Sequence, residues 1–125
     1  MRILVVEDQD SIRNMIEALV RARGYEVTAV NSGTKALDSA SQQTPDLVLL
    51  DVTMPGQYDG IQVCERLRAT PETQDVPVVI ISAVTDEQTK ERASKAGATA
   101  YYTKPFSPMA LLKELDRWAA RTPAA

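Results

Sequence analysis

Glu7, Asp8, Asp51, Ser82 and Lys104 have one thing in common: each stands at or just past the end of a short apolar run. Ile3 to Val6 leads into Glu7 and Asp8, Leu47 to Leu50 into Asp51, and Val78 to Ile81 into Ser82. Ala100 to Tyr102 leads up to Lys104 and Pro105. Brought to one edge, three carboxylates, a hydroxyl and an ammonium suit a divalent cation and a phosphoryl group. Two unit charges ~4 Å apart repel by about 4 kcal/mol at an effective dielectric of about 20, so three acids tolerate such closeness best around a cation. Oxygen-only ligands select a hard ion, and Mg²⁺ takes one or two carboxylates together with waters and a phosphate oxygen. An ammonium held at a strand end neutralises a phosphoryl oxygen. Taken singly, each residue has an ordinary explanation, since exposed acids are common and a serine after a strand is often a turn or cap residue.

The elements that must position these groups follow from apolar periodicity. Short runs rich in Val, Ile and Leu read as parallel strands buried on both faces, and in open α/β sheets sites form at the carboxyl ends of such strands. Between the runs the period changes to that of a helix. Ile12, Met15, Ile16, Leu19 and Val20 share one face before Gly24, and Ser32 caps a helix carrying Ala36, Leu37 and Ala40. Gly60 to Ala69 places Ile61, Cys64 and Leu67 together, Asp86 to Ala96 is polar and closed by Gly97, and Ser107 caps a last helix with Leu111, Leu112, Leu115 and Trp118. With Glu26 to Val30 as a further strand, strand and helix alternate five times. The fold class expected is α/β: a doubly wound (βα)5 arrangement with a five-stranded parallel sheet covered by helices on both faces. Residues 1–121 read as one domain and residues 122–125 as a tail or the start of a linker.

Composition narrows the functions. At 125 residues the chain is long enough for one real core, and at 44% hydrophobic and 25% charged it is globular in character. A net charge of −3 argues against direct nucleic-acid binding, which wants a basic face. No apolar run approaches the ~20 residues of a membrane span and no signal peptide opens the chain, so the expectation is a cytoplasmic protein with no membrane contact. Histidine is absent, which removes Ser-His-Asp and Cys-His triads, and any phosphohistidine must come from a partner. Cys64 is the single cysteine and reads as core packing rather than a reactive thiol.

The segments Ile3 to Asp8, Asp51 to Pro55, Asp59-Gly60, Ser82-Ala83, Gly97-Ala98 and Tyr101 to Phe106, in this order, resemble the response-regulator receiver domain of two-component signalling, the CheY-like family. The resemblance covers essentially the whole chain and implies the flavodoxin-like form of the fold. It also implies roles. Asp51 matches the phosphoacceptor, and Glu7 and Asp8 the acidic pair. Glu7, Asp8, Asp51 and the backbone carbonyl of Thr53 match the Mg²⁺ site, Lys104 the phosphate-contacting lysine, Ser82 the switch hydroxyl and Tyr101 the switch aromatic. The implied partners are a histidine kinase or histidine phosphotransfer protein and a downstream protein or fused effector. The surface of the fourth helix, fifth strand and fifth helix carries the response. The only hydrolysis implied is slow self-dephosphorylation, so the chain reads as a switch and not as an enzyme.

Two departures from the family pattern stand out. Gly56, Gln57 and Tyr58 separate Pro55 from Asp59, one residue more than usual, and Thr99-Ala100 replaces an acidic pair. Winged-helix members pair their receivers through an acid and an arginine whose places are taken here by Ala110 and Glu114, so that form of pairing is not expected. Rival classes fare worse. A phosphatase of the haloacid-dehalogenase type needs a second acid where Thr53 stands, and a flavin-binding loop needs Ser, Thr and Gly where Glu7 to Asp10 would repel phosphate.

Overall fold

The computed structural model describes residues 1–54 and 56–121. Pro55 of the Asp51 to Pro55 segment and the tail expected at 122–125 lie outside the described residues. The order is β1 (Arg2–Val6), α1 (Asp10–Ala22), β2 (Glu26–Val30), α2 (Gly33–Gln42), β3 (Leu47–Leu50), α3 (Gly60–Ala69), β4 (Val78–Ser82), α4 (Glu87–Lys95), β5 (Ala100–Thr103) and α5 (Pro108–Arg121). All strand pairs are parallel, and the sheet order is β2-β1-β3-β4-β5. This is the doubly wound arrangement expected, with its reversal of winding between β1 and β3.

Alternate strand residues feed two cores because successive side chains leave opposite faces of a sheet. Leu4, Val6, Val48, Leu50, Val78 and Ile80 pack under α2, α3 and α4, against Ala36, Ile61, Cys64, Leu67 and Ala93. Ile3, Val5, Leu47, Leu49, Val79 and Ile81 pack on the other face against Ile16 and Val20 of α1 and Leu111 and Leu115 of α5. Cys64 is fully buried, as expected, with its thiol against the Ala96 carbonyl at 3.4 Å, and burial pushes its pKa up.

Local chemistry sets the helix ends. Ser32 accepts from the Lys35 amide at 3.2 Å and Ser107 from the Ala110 amide at 3.2 Å, both as the sequence predicts. Asp59 and Gln62 form a reciprocal capping box at the start of α3. Gly24 and Gly97 stop their helices at φ +94° and +99°, a backbone region that side-chain-bearing residues rarely enter. Met15, assigned from sequence to the apolar face of α1, is instead 43% exposed. In α1 the buried face narrows to Ile16 and Val20, leaving Met15 beside the stripe rather than on it.

Candidate functional site

Strand register brings the chemistry together. Val6 and Leu50 are direct partners across β1 and β3, so the residues that follow them, Glu7 and Asp51, leave the sheet side by side. The Asp51 amide still donates to the Val6 carbonyl at 3.0 Å, and the Glu7 amide to Val30 at 3.1 Å. Ser82 pairs with Thr103 across β4 and β5, and the next residue, Lys104, donates its amide to the Ser82 carbonyl at 2.8 Å. The peptide between Lys104 and Pro105 is cis.

At this edge one carboxylate oxygen each from Glu7, Asp8 and Asp51 lies within 4.8 Å of the other two. Glu7 is 2% and Asp51 6% exposed, while Asp8 is half-buried. The Lys104 ammonium donates to Glu7 Oε1 at 2.7 Å and to Asp51 Oδ2 at 3.2 Å. Burial disfavours the charged lysine, but the two carboxylates outweigh it and hold its pKa above the usual value. For Asp8 the first cause is again burial, joined by the neighbouring Glu7, and its carboxyl is pushed up despite the attraction of Lys104. Three acids and one lysine leave a net charge of about −2, which a divalent cation would cancel.

The acids are not equally available. Glu7 uses one oxygen for Lys104 and accepts the Gln9 amide at 3.1 Å on the other. Asp51 Oδ1 accepts the Thr53 amide at 3.2 Å. That contact fixes the turn holding the exposed Thr53 beside the acid. Gly60 backs the same turn: a Cβ there would lie 2.0 Å from the Asp51 carbonyl oxygen, so only a glycine lets α3 begin this close.

Ser82 is fully buried and accepts the Val84 amide at 3.1 Å on Oγ. The Tyr101 hydroxyl donates to the carbonyl of that same Val84 at 2.6 Å. Val84 therefore engages both side chains, one through its amide and the other through its carbonyl. Burial raises the Tyr101 pKa, with the Ser82 hydroxyl acting in the opposite direction. Lys90 of α4 places its ammonium 5.9 Å from the centre of the Tyr101 ring. Glu7, Asp8, Asp51, Ser82 and Lys104 thus fall at one edge of the sheet, and Tyr101 reaches the same edge through Val84. Arg13 was not singled out, and its guanidinium donates to the carbonyls of Glu7 at 3.1 Å and Asp8 at 3.5 Å. A lone arginine in a helix offers no sequence signal for such a contact.

The site is shallow. A groove of about 430 Å³ between the ends of α2 and α3, near Leu37, Arg66 and Thr73, touches none of these residues. Beneath Glu7 and Asp51 there is space for about 10 Å³. Such a surface suits a group presented by another molecule better than a swallowed substrate.

The family model for the response regulator receiver domain matches residues 3–116. The response regulator PleD of Caulobacter vibrioides is 39% identical over 110 residues, covering 88% of this chain and 24% of PleD. The DNA-binding response regulator MtrA of Mycobacterium tuberculosis is 40% identical over 111 residues, covering 89% of this chain and 47% of MtrA. The chain thus spans between about a quarter and about half of these relatives, and the DNA binding in MtrA's name is a property of that longer protein. Among solved structures, the receiver domain of sensor histidine kinase PA1611 from Pseudomonas aeruginosa, with a magnesium ion in its active-site cleft, superposes with a TM-score of 0.87 at 34% identity. That match covers 95% of this chain and 97% of the other. The chemotaxis response regulator CheY4 of Vibrio cholerae gives 0.86 at 32% identity, covering 94% of this chain and 97% of CheY4. The chain belongs to the response-regulator receiver family and is a phosphorylation-activated switch of two-component signalling, a regulatory phosphoacceptor.

Proposed function

We propose that Asp51 is the phosphoacceptor, with Lys104 as its charge partner and Glu7, Asp8, Asp51 and the Thr53 carbonyl as the Mg²⁺ site. The observation that carries this reading is the Lys104 ammonium shared between Glu7 and Asp51 inside the three-carboxylate cluster. The donor set fits the ion: oxygen ligands, a net negative charge and a half-exposed Asp8 facing solvent. Glu7, with both oxygens engaged, would contribute mostly charge, leaving Asp8 and Asp51 as the direct carboxylate ligands. When bound, Mg²⁺ supplies charge neutralisation for the phosphoryl oxygens.

The chain has no histidine, so the donor is a phosphohistidine on a histidine kinase or phosphotransfer protein, or a small acyl phosphate. A carboxylate oxygen of Asp51 attacks phosphorus in line. The donor's N–P or O–P bond breaks, its electron pair leaves with the donor atom, and an Asp51 O–P bond forms. Lys104, already 3.2 Å from Asp51, compensates the charge on the arriving phosphoryl. The phosphoryl then offers the Ser82 hydroxyl an anionic acceptor, drawing Oγ away from the Val84 amide that donates to it. Because the Val84 carbonyl also holds Tyr101, a shift of Val84 reaches β5 and the face formed by α4, β5 and α5. A downstream protein or a fused effector would read that face. Water attack on the acyl phosphate returns the switch slowly, and the proposed setting is the cytoplasm; among the described residues no helix is long and apolar enough to cross a membrane.

Intact-mass measurement after incubation with acetyl phosphate and Mg²⁺ tests the assignment. One phosphoryl adduct is expected, absent in Asp51→Ala and suppressed by EDTA. An adduct that persists in Asp51→Ala overturns it.

A further inference from the structure

We propose that Arg13 is a positioning residue for the metal site: its guanidinium fixes the β1–α1 loop so that the Glu7 and Asp8 carboxylates hold the spacing that a divalent cation requires. The proposal rests on the assignment of Mg²⁺ to this cluster. Its starting point is where the loop gets its support. The last sheet-type bond of β1 runs from the Glu7 amide to Val30, and the first helical bond of α1 runs from the Arg13 amide to Gln9 at 2.9 Å. Between them lie Glu7 and Asp8, which carry two of the three clustered carboxylates. The carbonyls of both residues accept from a single nitrogen of Arg13, at 3.1 and 3.5 Å.

The other terminal nitrogen of Arg13 is itself held, by Asp10 Oδ1 at 2.6 Å. The arginine side chain is 17% exposed although its Asp10 partner is 83% exposed, so the guanidinium lies in the fold of the loop and not out in solvent. A rotation of the backbone through Glu7 and Asp8 would carry both side chains with it and break the Arg13 contacts to the two carbonyls. The planar guanidinium restrains that rotation through a rigid fork, which a lysine of equal charge cannot reproduce. Groups that orient metal ligands in this way change metal affinity by roughly 10–100-fold when removed.

Charge and geometry predict opposite signs, and this makes the proposal testable. As a cation beside three acids, Arg13 by charge alone weakens Mg²⁺ binding, so its removal would tighten it. As a positioning group it strengthens binding, so its removal weakens it. Isothermal titration of the full chain with MgCl₂ alone, without any phosphoryl donor, reads the difference. Arg13→Met is expected to raise the Mg²⁺ dissociation constant about tenfold. Arg13→Lys, which keeps the charge and loses the fork, is expected to weaken binding several-fold. Arg21→Met, which removes an exposed pair with Glu17 on the same helix, is expected to leave it unchanged. Circular dichroism confirms that each variant is folded, and if Arg13→Met does not fold, Arg13→Lys carries the comparison. Unchanged or tighter binding in the folded Arg13 variants overturns the positioning role while leaving the metal site intact. Failure of the wild-type chain to bind Mg²⁺ overturns the metal site and this proposal together.

Discussion

Neutralising Asp8 should stabilise the metal-free protein and at the same time remove its response to Mg²⁺. In the cluster, Asp8 faces Glu7 and Asp51, while Lys104 supplies one positive charge, so about one unit of repulsion is left uncompensated. At the 4.8 Å limit of the cluster, one unit of repulsion amounts to about 3.5 kcal/mol at an effective dielectric of about 20 and about 0.9 kcal/mol in water. Asp8 is half-buried and screened by solvent, which places the relief in Asp8→Asn toward the lower bound, about 1–2 kcal/mol. For a chain of 125 residues that is a rise in Tm of about 3–6 °C.

The direction of the Asp8 shift agrees. Its folded-state pKa lies above the usual 3.8, so the folded protein holds the Asp8 proton more tightly than the unfolded chain does. Below about pH 3.8 both states are protonated and Asp8 costs nothing. As pH rises through the folded-state value the penalty develops in full, and it persists at neutral pH. The advantage of Asp8→Asn should therefore be present at pH 7 and vanish in acid. Mg²⁺ reverses the order. A ligand at a hundredfold excess over its dissociation constant stabilises by about 2.7 kcal/mol, and the variant lacks the half-exposed carboxylate proposed to ligate the ion. Thermal unfolding with and without Mg²⁺ should show the two curves exchanging order. A lower metal-free Tm in Asp8→Asn, or an equal Mg²⁺ shift in both proteins, would refute the electrostatic account of the cluster.

Two further outcomes follow from single contacts. Glu114 is 4% exposed and accepts from the Tyr102 hydroxyl at 2.8 Å and the Trp118 indole at 3.1 Å while pairing with Arg117, so Glu114→Ala should cost about 2–3 kcal/mol in urea unfolding; an unchanged midpoint would contradict this. The family resemblance implies that Thr53 and Val84 border the path of water to an acyl phosphate on Asp51, where neither side chain offers an amide or acid to orient it, so phosphate release should quicken in Thr53→Asn/Val84→Glu; equal decay in the double variant would remove these side chains from control of the lifetime.

The legibility of the sequence follows the range of the interactions involved. The sheet was readable because each strand is a continuous apolar run that only a doubly covered sheet accommodates, as Leu47 to Leu50 shows. The site was readable for the same reason, since a polar residue that ends a buried strand must emerge at the sheet's carboxyl edge. The register that pairs Val6 with Leu50 then sets Glu7 beside Asp51 without further information. Arg13, Gly60 and Glu114 lay beyond such reasoning. Their roles depend on which atom meets which across a turn or between elements. Arg13 sits on a helix and reaches back to a loop, and Gly60 is defined by a carbonyl nine residues earlier.

Glu114 is the sharpest case. As a charged residue on an amphipathic helix it reads as solvated, yet it lies buried under Tyr102 and Trp118. The position that in winged-helix relatives is expected to pair receivers is here turned inward, where Glu114 joins β5 to the last turns of α5. On the switch role proposed for Tyr101, a response would find, one residue further along the same strand, a hydrogen-bonded route through Tyr102 and Glu114 to α5 that does not pass through a dimer partner.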